Sequence, residues 1–260
     1  MEINSNFIRS GNGWRESPKV EGVSLVECQN WLGFIEFLHD EKTLRNNQGY
    51  CFRGQSSETW DLKSTLKRQI QSDDVSQLTQ IETDVLTRFK KYCIGRRGLN
   101  PRQLEDNEYW ALGQHYGLNT PLLDWTDSPY VAAFFAFHSD NSDTENVVVW
   151  ALSKSVDKEI NNDENLDKLQ FLDLNIDENA RLINQKGLFV RTPNMECVET
   201  YANSIADKPY VVLAKILIPK SERIFALDSL DKMNISSLTL FPDLTGAAHF
   251  TNYIQKRDCR

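Results

Sequence analysis

One short segment of the sequence predicts a helix that has no surface suited to water. Ser128 followed by Pro129 has the order of an N-cap residue and a first-turn proline, so we expect a helix to begin there. The residues from Val131 to Ala136 read Val-Ala-Ala-Phe-Phe-Ala, which makes this helix apolar on nearly all sides. Such a helix has to be covered by other elements. We therefore expect the fold to be built around it.

Polar side chains lie immediately before this helix. Leu122 and Leu123 form a short apolar run that enters a turn at residues 124–128, and the turn contains Asp124 and Ser128. Free backbone N–H groups and the helix dipole make such a helix start a site for an anion or a carboxylate. The simpler alternative is that Asp124 and Ser128 only cap the helix, because capped helix starts are far commoner than active sites. Both interpretations stay open.

The charge balance narrows the class of partner. The 260 residues contain 29 Lys and Arg against 37 Asp and Glu, a net charge of -8. This balance argues against a protein that wraps nucleic acid nonspecifically, although a local basic groove is compatible with it. Solvated helix faces explain basic groups more often than binding grooves do. The candidates for a groove are Lys63, Lys67 and Arg68, or Lys90, Lys91, Arg96, Arg97 and Arg102.

Cysteine and histidine usage favours a reduced, cytoplasmic protein without a metal site. The cysteines are odd in number, widely spaced and lack a CxxC pair, no leader peptide is recognisable, and the histidines are scattered. No apolar run approaches the roughly 18 residues of a membrane span, so we expect no membrane association. The cysteines are Cys28, Cys51, Cys93, Cys197 and Cys259, and the histidines are His39, His115, His138 and His249.

The chain contains no Pro/Gly/Ser-rich linker, so we expect a single domain over residues 1–260. Residues 1–23 are polar and without a period, which predicts a loosely attached N-terminal arm ahead of a core at about 24–255. Ser24-Leu25-Val26-Glu27 has the form of a capping box. The helical spacing from Leu25 through Cys28 to Leu38 then predicts an amphipathic helix that starts at Ser24.

The remaining elements predict an α+β fold. Tyr50–Gln55 is expected to be a strand on which Arg53 and Cys51 share one face while Tyr50 and Phe52 point the other way. Helices are expected early in the chain and strands late, without regular alternation, which favours a mixed or antiparallel central sheet with helices packed around it. Further helices are expected at 75–93 and 105–112, strands at 146–152, 188–192 and 210–219, and an exposed charged insertion at 157–175.

Four blocks of sequence, in order, resemble the bacterial family called FRG domains. The resemblance spans about residues 45–250, and the family's name describes the Phe-Arg-Gly tripeptide found here at residues 52–54. The chain departs from many members at Asn119, where they have Pro, and at Pro121, where they have Arg. The blocks are Phe52-Arg53-Gly54, residues 114–136, Gln185-Lys186-Gly187-Leu188-Phe189 and Leu240-Phe241-Pro242-Asp243.

A more distant similarity links the chain to the ADP-ribosyltransferase fold. In that fold a first core strand supplies an Arg or His, and a later strand ends in a hydroxyl-bearing turn before a helix. Arg53 resembles the former, and residues 123–128 with the following helix resemble the latter. The two resemblances together imply a transferase that uses NAD as substrate. They also imply a bacterial toxin or antiviral defence effector that modifies RNA or protein, with a neutralising antitoxin-type partner.

This resemblance implies a role for each candidate residue. Cleavage of NAD needs a cation for phosphate, a stacking surface for nicotinamide and a polar group that orients the ribose. The expected catalytic residues are Arg53, Asp124 and His115, with His115 as general base and Asp124 in place of a catalytic glutamate that the motif lacks. Glu196, Glu199 and Glu222 are the fallback carboxylates. The expected NAD-binding residues are Arg53, Tyr116, Trp125, Thr126, Ser128 and Gln185.

Each assignment has a structural alternative. Arg53 could pair with Asp124 and only brace strand against loop, and His115 is more often a hydrogen-bonded structural residue. Trp125 and Tyr116 are more often core aromatics than stacking platforms. At the level of function, the alternatives are a noncatalytic module that binds a nucleotide or an acidic peptide, and a metal-dependent nuclease that uses Asp124 and His115.

Overall fold

The computed structural model describes residues 7–40, 44, 49–139, 143–155, 169–174, 180–205 and 212–259. Its centre is a nine-stranded sheet with the order β1-β2-β3-β9-β6-β4-β5-β8-β7. Strands β3 and β9 are parallel, and every other neighbouring pair is antiparallel. The strands are β1 Arg9–Ser10, β2 Trp14–Glu16, β3 Val23–Cys28, β4 Tyr50–Gln55, β5 Leu123–Thr126, β6 Asn146–Ser153, β7 Gln170–Leu172, β8 Gly187–Arg191 and β9 Leu213–Pro219.

Helices cover both faces of this sheet, so the predicted α+β class with a mixed sheet is confirmed. Short 3-10 helices lie at Lys67–Gln69, Pro193–Met195 and Lys220–Glu222. None of the helices in the described part of the chain is long and apolar enough to cross a bilayer. The α-helices are α1 Trp31–His39, α2 Val75–Cys93, α3 Asp106–His115, α4 Pro129–His138, α5 Ala180–Asn184, α6 Val198–Ser204, α7 Arg223–Lys232, α8 Ser237–Leu240 and α9 Leu244–Asp258.

The apolar helix predicted at Ser128 is α4, and it lies inside the protein. Ser128 is its N-cap, with the hydroxyl oxygen accepting from the Val131 N–H at 3.3 Å. The helix packs on β4, β5 and β6 on one side and on α7 on the other. Because neighbours cover it all round, it needs no polar face. The larger hydrophobic core lies between α4, α1 and this face of the sheet.

Gly54 sets the distance between α4 and the sheet. A Cβ at this position would lie 1.9 Å from the carbonyl oxygen of Ala132 and 2.6 Å from the nitrogen of Ala136. Both are backbone atoms of α4, so no side-chain rotation could relieve the overlap. The glycine of the Phe-Arg-Gly tripeptide is therefore required for the helix to sit on β4.

The sheet divides between β4 and β5. All six residues of β4 pair with β6, and all four residues of β5 pair with β8. Between β4 and β5 themselves, the register has one pair, Phe52 with Thr126. The two strands therefore diverge beyond this pair, and the divergence opens a cavity at the centre of the sheet.

The N-terminal arm predicted for residues 1–23 is wrong for its described part, residues 7–23, because these residues add two strands to the sheet. Trp14 is 2% exposed, and its ring meets that of Phe37 at 5.1 Å. The carboxylate of Glu16 is buried and receives a salt bridge from Arg9 at 2.7 Å and a hydrogen bond from Ser24 at 2.6 Å. This segment is ordered by strand pairing and by packing against distant residues. Strands of two and three residues are too short to show a period in the sequence.

The predicted helix start at Ser24 is also wrong. Residues 23–28 alternate between half-buried and buried and form β3 between β2 and β9. The helix begins later, at Trp31, where the side chain of Asn30 caps it by accepting from the Gly33 N–H at 2.9 Å. The helical spacing of Leu25 and Cys28 with the later residues was coincidental, since a strand pairing decides their conformation.

The other predicted elements agree more closely with the structure. The bounds of β4 and α2 are those expected, and α3 extends to His115 beyond the expected Leu112. Among the described residues, however, three strands precede the first α-helix and three α-helices follow the last strand, so the expected order of early helices and late strands is wrong. Most of the predicted insertion at 157–175, and residues 210 and 211 of the strand predicted at 210–219, lie outside the described residues.

The last helix, α9, is attached to the rest of the fold through polar contacts. His249 on α9 lies 3.2 Å from His138 at the end of α4, measured between ring nitrogens. Tyr253 donates to the carboxylate of Asp228 on α7. Burial, together with the charges of His249 and Arg223, lowers the pKa of His138 from 6.5 to about 4. His138 is therefore neutral at pH 7.

We expect Gly54→Ala to lower the free energy of unfolding by about 3 kcal/mol or more, because overpacking against backbone cannot be relaxed locally. Gly49→Ala is the matched control, since a Cβ there would meet no atom of the described residues within 4 Å. We expect the control to change stability by less than about 0.5 kcal/mol. Chemical denaturation of both variants measures the difference, and equal stabilities would contradict the close approach of α4 to β4.

We expect the protein to lose stability as the pH falls from 6.5 towards 4. The unfolded chain protonates His138 near pH 6.5, whereas the folded chain does so only near 4, so acid favours unfolding across this window. The loss should be about 1 to 2 kcal/mol, because the imidazole is partly exposed and solvent reduces the effect. Denaturation of wild type and His138→Gln at several pH values isolates it, and parallel pH profiles would contradict it.

Candidate functional site

The divergence of β4 and β5 opens a cavity of about 540 Å³, which we call the β4–β5 cavity. This volume lies within the usual range of ligand pockets, roughly 300 to 1,000 Å³. Its walls come from these two strands, the segment after β4, the end of α3 and residues of α4 and α5, together with Gln185, Phe189 and Phe241. The sites that the sequence predicted on Arg53 and on the turn before α4 therefore face each other.

Arg53 is the cation on the β4 side of the cavity. Its side chain is 19% exposed, and Nη1 donates to the backbone carbonyl of Asp124 at 2.6 Å and lies 4.0 Å from its carboxylate. Its Nε–H is buried and has no hydrogen-bond partner among the described residues. Burial lowers the pKa of Arg53, although the carboxylate of Asp124 opposes this shift. The predicted brace on Asp124 thus exists, and it leaves the buried Nε–H of the guanidinium unused.

Asp124 is the one carboxylate among the described residues that line the cavity. Its side chain is 66% exposed, so it reaches into the open space. The amide of Gln114 donates to Oδ1 of Asp124 at 2.7 Å, and the oxygen of the same amide accepts from the Thr120 hydroxyl. Thr120 therefore fixes the orientation of Gln114, and Gln114 fixes that of the carboxylate.

Aromatic rings form the opposite wall. Phe135 of α4 and Phe241 lie edge to face with centroids 5.9 Å apart, and both line the cavity. The guanidinium of Arg181 lies over the ring of Phe241 at 5.5 Å and forms an ion pair with Asp243. A flat ring could therefore be held next to Arg53 by contact with these phenyl groups.

Several of the residues expected to bind NAD already use their polar groups or ring surfaces in contacts within the protein. The hydroxyl of Thr126 donates to the Gln185 carbonyl at 2.6 Å and accepts from the Ser128 N–H at 3.1 Å, so it holds the turn together. Trp125 lines the cavity but is only 3% exposed, because it is packed in a hydrophobic cluster with Leu123 and Leu188. Little of its ring surface is left for stacking. Gln185 also lines the cavity, and its amide donates to the Leu240 carbonyl at 3.0 Å.

The structure brings His115 to the cavity but leaves two predicted residues outside it. The imidazole of His115 lies edge to face with Tyr116 at 4.9 Å and has no hydrogen-bond partner in the described part of the chain. Tyr116 is 72% exposed and does not line the cavity, so it is neither a core aromatic nor part of this wall. Ser128 caps α4 and faces a separate surface depression.

The three fallback glutamates do not line the cavity. Glu199 accepts from the Leu62 N–H at 3.0 Å and lies 2.6 Å from the Cys197 sulfur. Burial and, to a smaller extent, the carboxylate of Glu199 raise the pKa of the Cys197 thiol to about 12. Glu222 accepts from the Trp31 N–H at 3.0 Å. Within the described residues there is no group of three His, Cys, Asp or Glu side chains that could hold a metal ion.

Several cavity residues were not predicted. Gln114 is the first residue of the block that contains Asp124, and Phe241 lies in the last block of the FRG resemblance. The resemblance therefore pointed to both residues without implying a role for either. Trp60 and Arg181 had no local signal, because the fold brings them to the cavity from other parts of the chain. Arg68 was predicted only as one member of a possible basic groove.

Comparison with known proteins identifies one family. Residues 48–145 match the FRG domain. No curated protein and no solved structure matches the chain. The matched stretch contains β4, α2, α3, β5 and α4, and with them Arg53, Gln114 and Asp124. The stretch that is similar to the FRG domain thus supplies the arginine and the carboxylate of the β4–β5 cavity.

Proposed function

We propose that the protein is an NAD-consuming enzyme of the ADP-ribosyltransferase type, with the fold of that class. It cleaves the bond between nicotinamide and ribose in the β4–β5 cavity and transfers ADP-ribose to an acceptor. The observation that carries this proposal is the pairing of Arg53, whose buried Nε–H lacks a partner, with Asp124, the carboxylate of the same cavity. A buried donor without a partner is costly, and a ligand oxygen at this position would satisfy it.

Arg53 suits a phosphate or ribose oxygen of NAD. The bond from Nη1 to the Asp124 carbonyl fixes the plane of the guanidinium on β5, so Nε is held in place before the ligand arrives. A preorganised guanidinium loses less side-chain entropy on binding than a free one. Strand β4 thus presents Arg53 beside a second strand that leads into α4, which is the arrangement implied by the resemblance to ADP-ribosyltransferases.

Asp124 suits the charge that develops during cleavage. Departure of nicotinamide leaves oxocarbenium character on the ribose, and a carboxylate nearby stabilises that charge. The hydrogen bond from Gln114 keeps the carboxylate oriented in the ground state, so little reorganisation is required during the reaction. His115, with a free imidazole at the same cavity, can accept the proton of the acceptor.

The cavity also offers a place for the nicotinamide ring. Phe135 and Phe241 present ring surface on the wall formed by α4 and residue 241. Stacking there would place the scissile bond between the aromatic wall and the strand that carries Asp124. A toxin or defence role with a neutralising partner rests on the FRG resemblance alone.

The second candidate is a noncatalytic nucleotide-binding module. The specific observation in its favour is that the described lining has Asp124 as its single carboxylate, so a site in which this residue is not catalytic would still bind a ligand through Arg53. The two candidates are separated by incubating purified protein with NAD labelled in the adenosine moiety, and measuring released nicotinamide and transferred label. Nicotinamide release supports the enzyme, whereas NAD binding without release supports the module.

We expect Arg53→Ala to weaken NAD binding by at least tenfold, because a hydrogen bond to a charged group contributes roughly 1.5 to 3 kcal/mol. Thermal stabilisation by NAD measures it, since a ligand at about 100 times its dissociation constant adds roughly 2.7 kcal/mol. Arg88→Ala, which removes a 70% exposed arginine on α2, is the matched control. Equal stabilisation of the two folded variants by NAD would contradict the assignment of Arg53.

We expect Asp124→Asn to lower kcat by roughly 100-fold or more while the dissociation constant of NAD changes little. The asparagine keeps an oxygen for the Gln114 amide but carries no charge for the ribose. Asp127→Asn is the control, because Asp127 pairs with Lys154 and does not line the cavity. Nicotinamide release gives kcat and calorimetry gives the affinity. A kcat equal to that of Asp127→Asn would show that the carboxylate is not catalytic.

A further inference from the structure

The rim of the β4–β5 cavity carries an exposed indole. Trp60 lies in the loop after β4, lines the cavity and is 48% exposed. The loop is held down by its neighbours, because the backbone carbonyl of Glu58 accepts from Lys215 at 2.7 Å and the side chain of Glu58 accepts from Asn146 at 3.1 Å. A large ring that stays half in water on a fixed loop is available for stacking.

The same rim carries a cation that has no partner among the described residues. Lys63 and Lys67, the other basic residues of this segment, form ion pairs with Asp61 at 2.8 Å and with Asp73 at 2.6 Å. The guanidinium of Arg68 makes no hydrogen bond or ion pair with the described residues, and it lines the cavity. It lies close enough to Arg53 for its charge to lower the pKa of that residue. Within the first predicted groove, which consists of Lys63, Lys67 and Arg68, the guanidinium of Arg68 is thus the cation left unpaired by the described residues.

The charges of Arg53 and Arg68 limit which acceptor can approach the ribose carbon that nicotinamide leaves. The described lining of the cavity has three arginines and one carboxylate, and Arg181 is already paired with Asp243. Arg53 and Arg68 thus stand against Asp124 alone, which leaves a net positive charge. A lysine or arginine side chain of a protein would be repelled there, whereas an uncharged base linked to phosphates would be attracted. The rim is cationic although the whole chain has a net charge of -8. It is therefore a local site and not part of a generally basic surface.

Building on the proposed function, we infer that the acceptor is a base of a single-stranded nucleic acid, which stacks on Trp60 while an adjacent phosphate contacts Arg68. Stacking on an aromatic side chain next to a basic group is the usual way in which proteins hold unpaired bases. A base inside a duplex could not reach either side chain without leaving its stack.

The transfer step follows from this placement. The bond between the nicotinamide nitrogen and C1′ of the ribose breaks, and its electron pair leaves with nicotinamide as the neutral ring. A nitrogen of the base uses its own electron pair to form the new bond to C1′. The proton displaced from that nitrogen passes to His115 or to solvent. One NAD and one base thus yield nicotinamide, an ADP-ribosylated base and a proton.

The test begins with binding. Fluorescence anisotropy with labelled single-stranded RNA and DNA of about ten nucleotides, a typical length for such sites, measures affinity without NAD. We expect Trp60→Ala to bind at least fivefold more weakly, with Phe225→Ala, which removes a 51% exposed aromatic on α7, as the matched control. Arg68→Ala should reduce the slope of log affinity against log salt by about 0.7, the value for one phosphate contact on a single strand.

The second stage adds NAD and compares acceptors. We expect ADP-ribose on an oligonucleotide and none on a peptide rich in Lys and Arg, with RNA and DNA tested separately to show which sugar is accepted. NAD cleavage with label on the peptide, or with neither acceptor modified, would overturn the inference while the proposed function stands. Oligonucleotide binding without any NAD cleavage would overturn the proposed function, and the acceptor role with it. Equal binding by Trp60→Ala and Phe225→Ala would overturn the stacking site.

Discussion

The direct contact between helix α4 and strand β4 at Gly54 is the constraint on which the structure depends. Since the glycine has no side chain, the backbone of α4 can rest on the strand, and the helix can be apolar all round because the sheet and α7 cover it. The start of the same helix is fixed by Ser128, directly after β5. One helix thus sets the positions of both β4 and β5, which are the two strands that define the cavity.

The cavity follows from how these strands are paired elsewhere. Strand β4 is held along its length by β6, and β5 by β8, so neither strand can close the space between them. Arg53 spans this space and uses one nitrogen to hold the backbone of Asp124. A structural contact and a free donor therefore come from the same side chain. This explains why the two interpretations of Arg53, as brace and as ligand-binding residue, are both compatible with its position.

The sequence predicted what depends on local pattern and failed where distant residues decide. The bounds of β4 and α2 could be read from alternation and helical spacing, and Ser128-Pro129 marked the start of α4. Strand β3 was missed because its partner β9 lies far along the chain. Strands β1 and β2, of two and three residues, are too short to show an alternating pattern. In the site, Arg53 and Asp124 were found from their motifs. Trp60 and Arg181 were not, because only the folded chain brings them to the cavity, and Tyr116 and Ser128 proved to lie outside it.

A crystal structure of the protein with NAD tests the central claim most directly. The account predicts NAD between β4 and β5, with a phosphate or ribose oxygen within hydrogen-bond distance of Arg53 Nε and the ribose facing Asp124. The same crystals should show the hydrogen bond from Nη1 to the Asp124 carbonyl unchanged, because it preorganises the guanidinium. NAD bound elsewhere, or a cavity that stays free of it at a saturating concentration, would contradict the account.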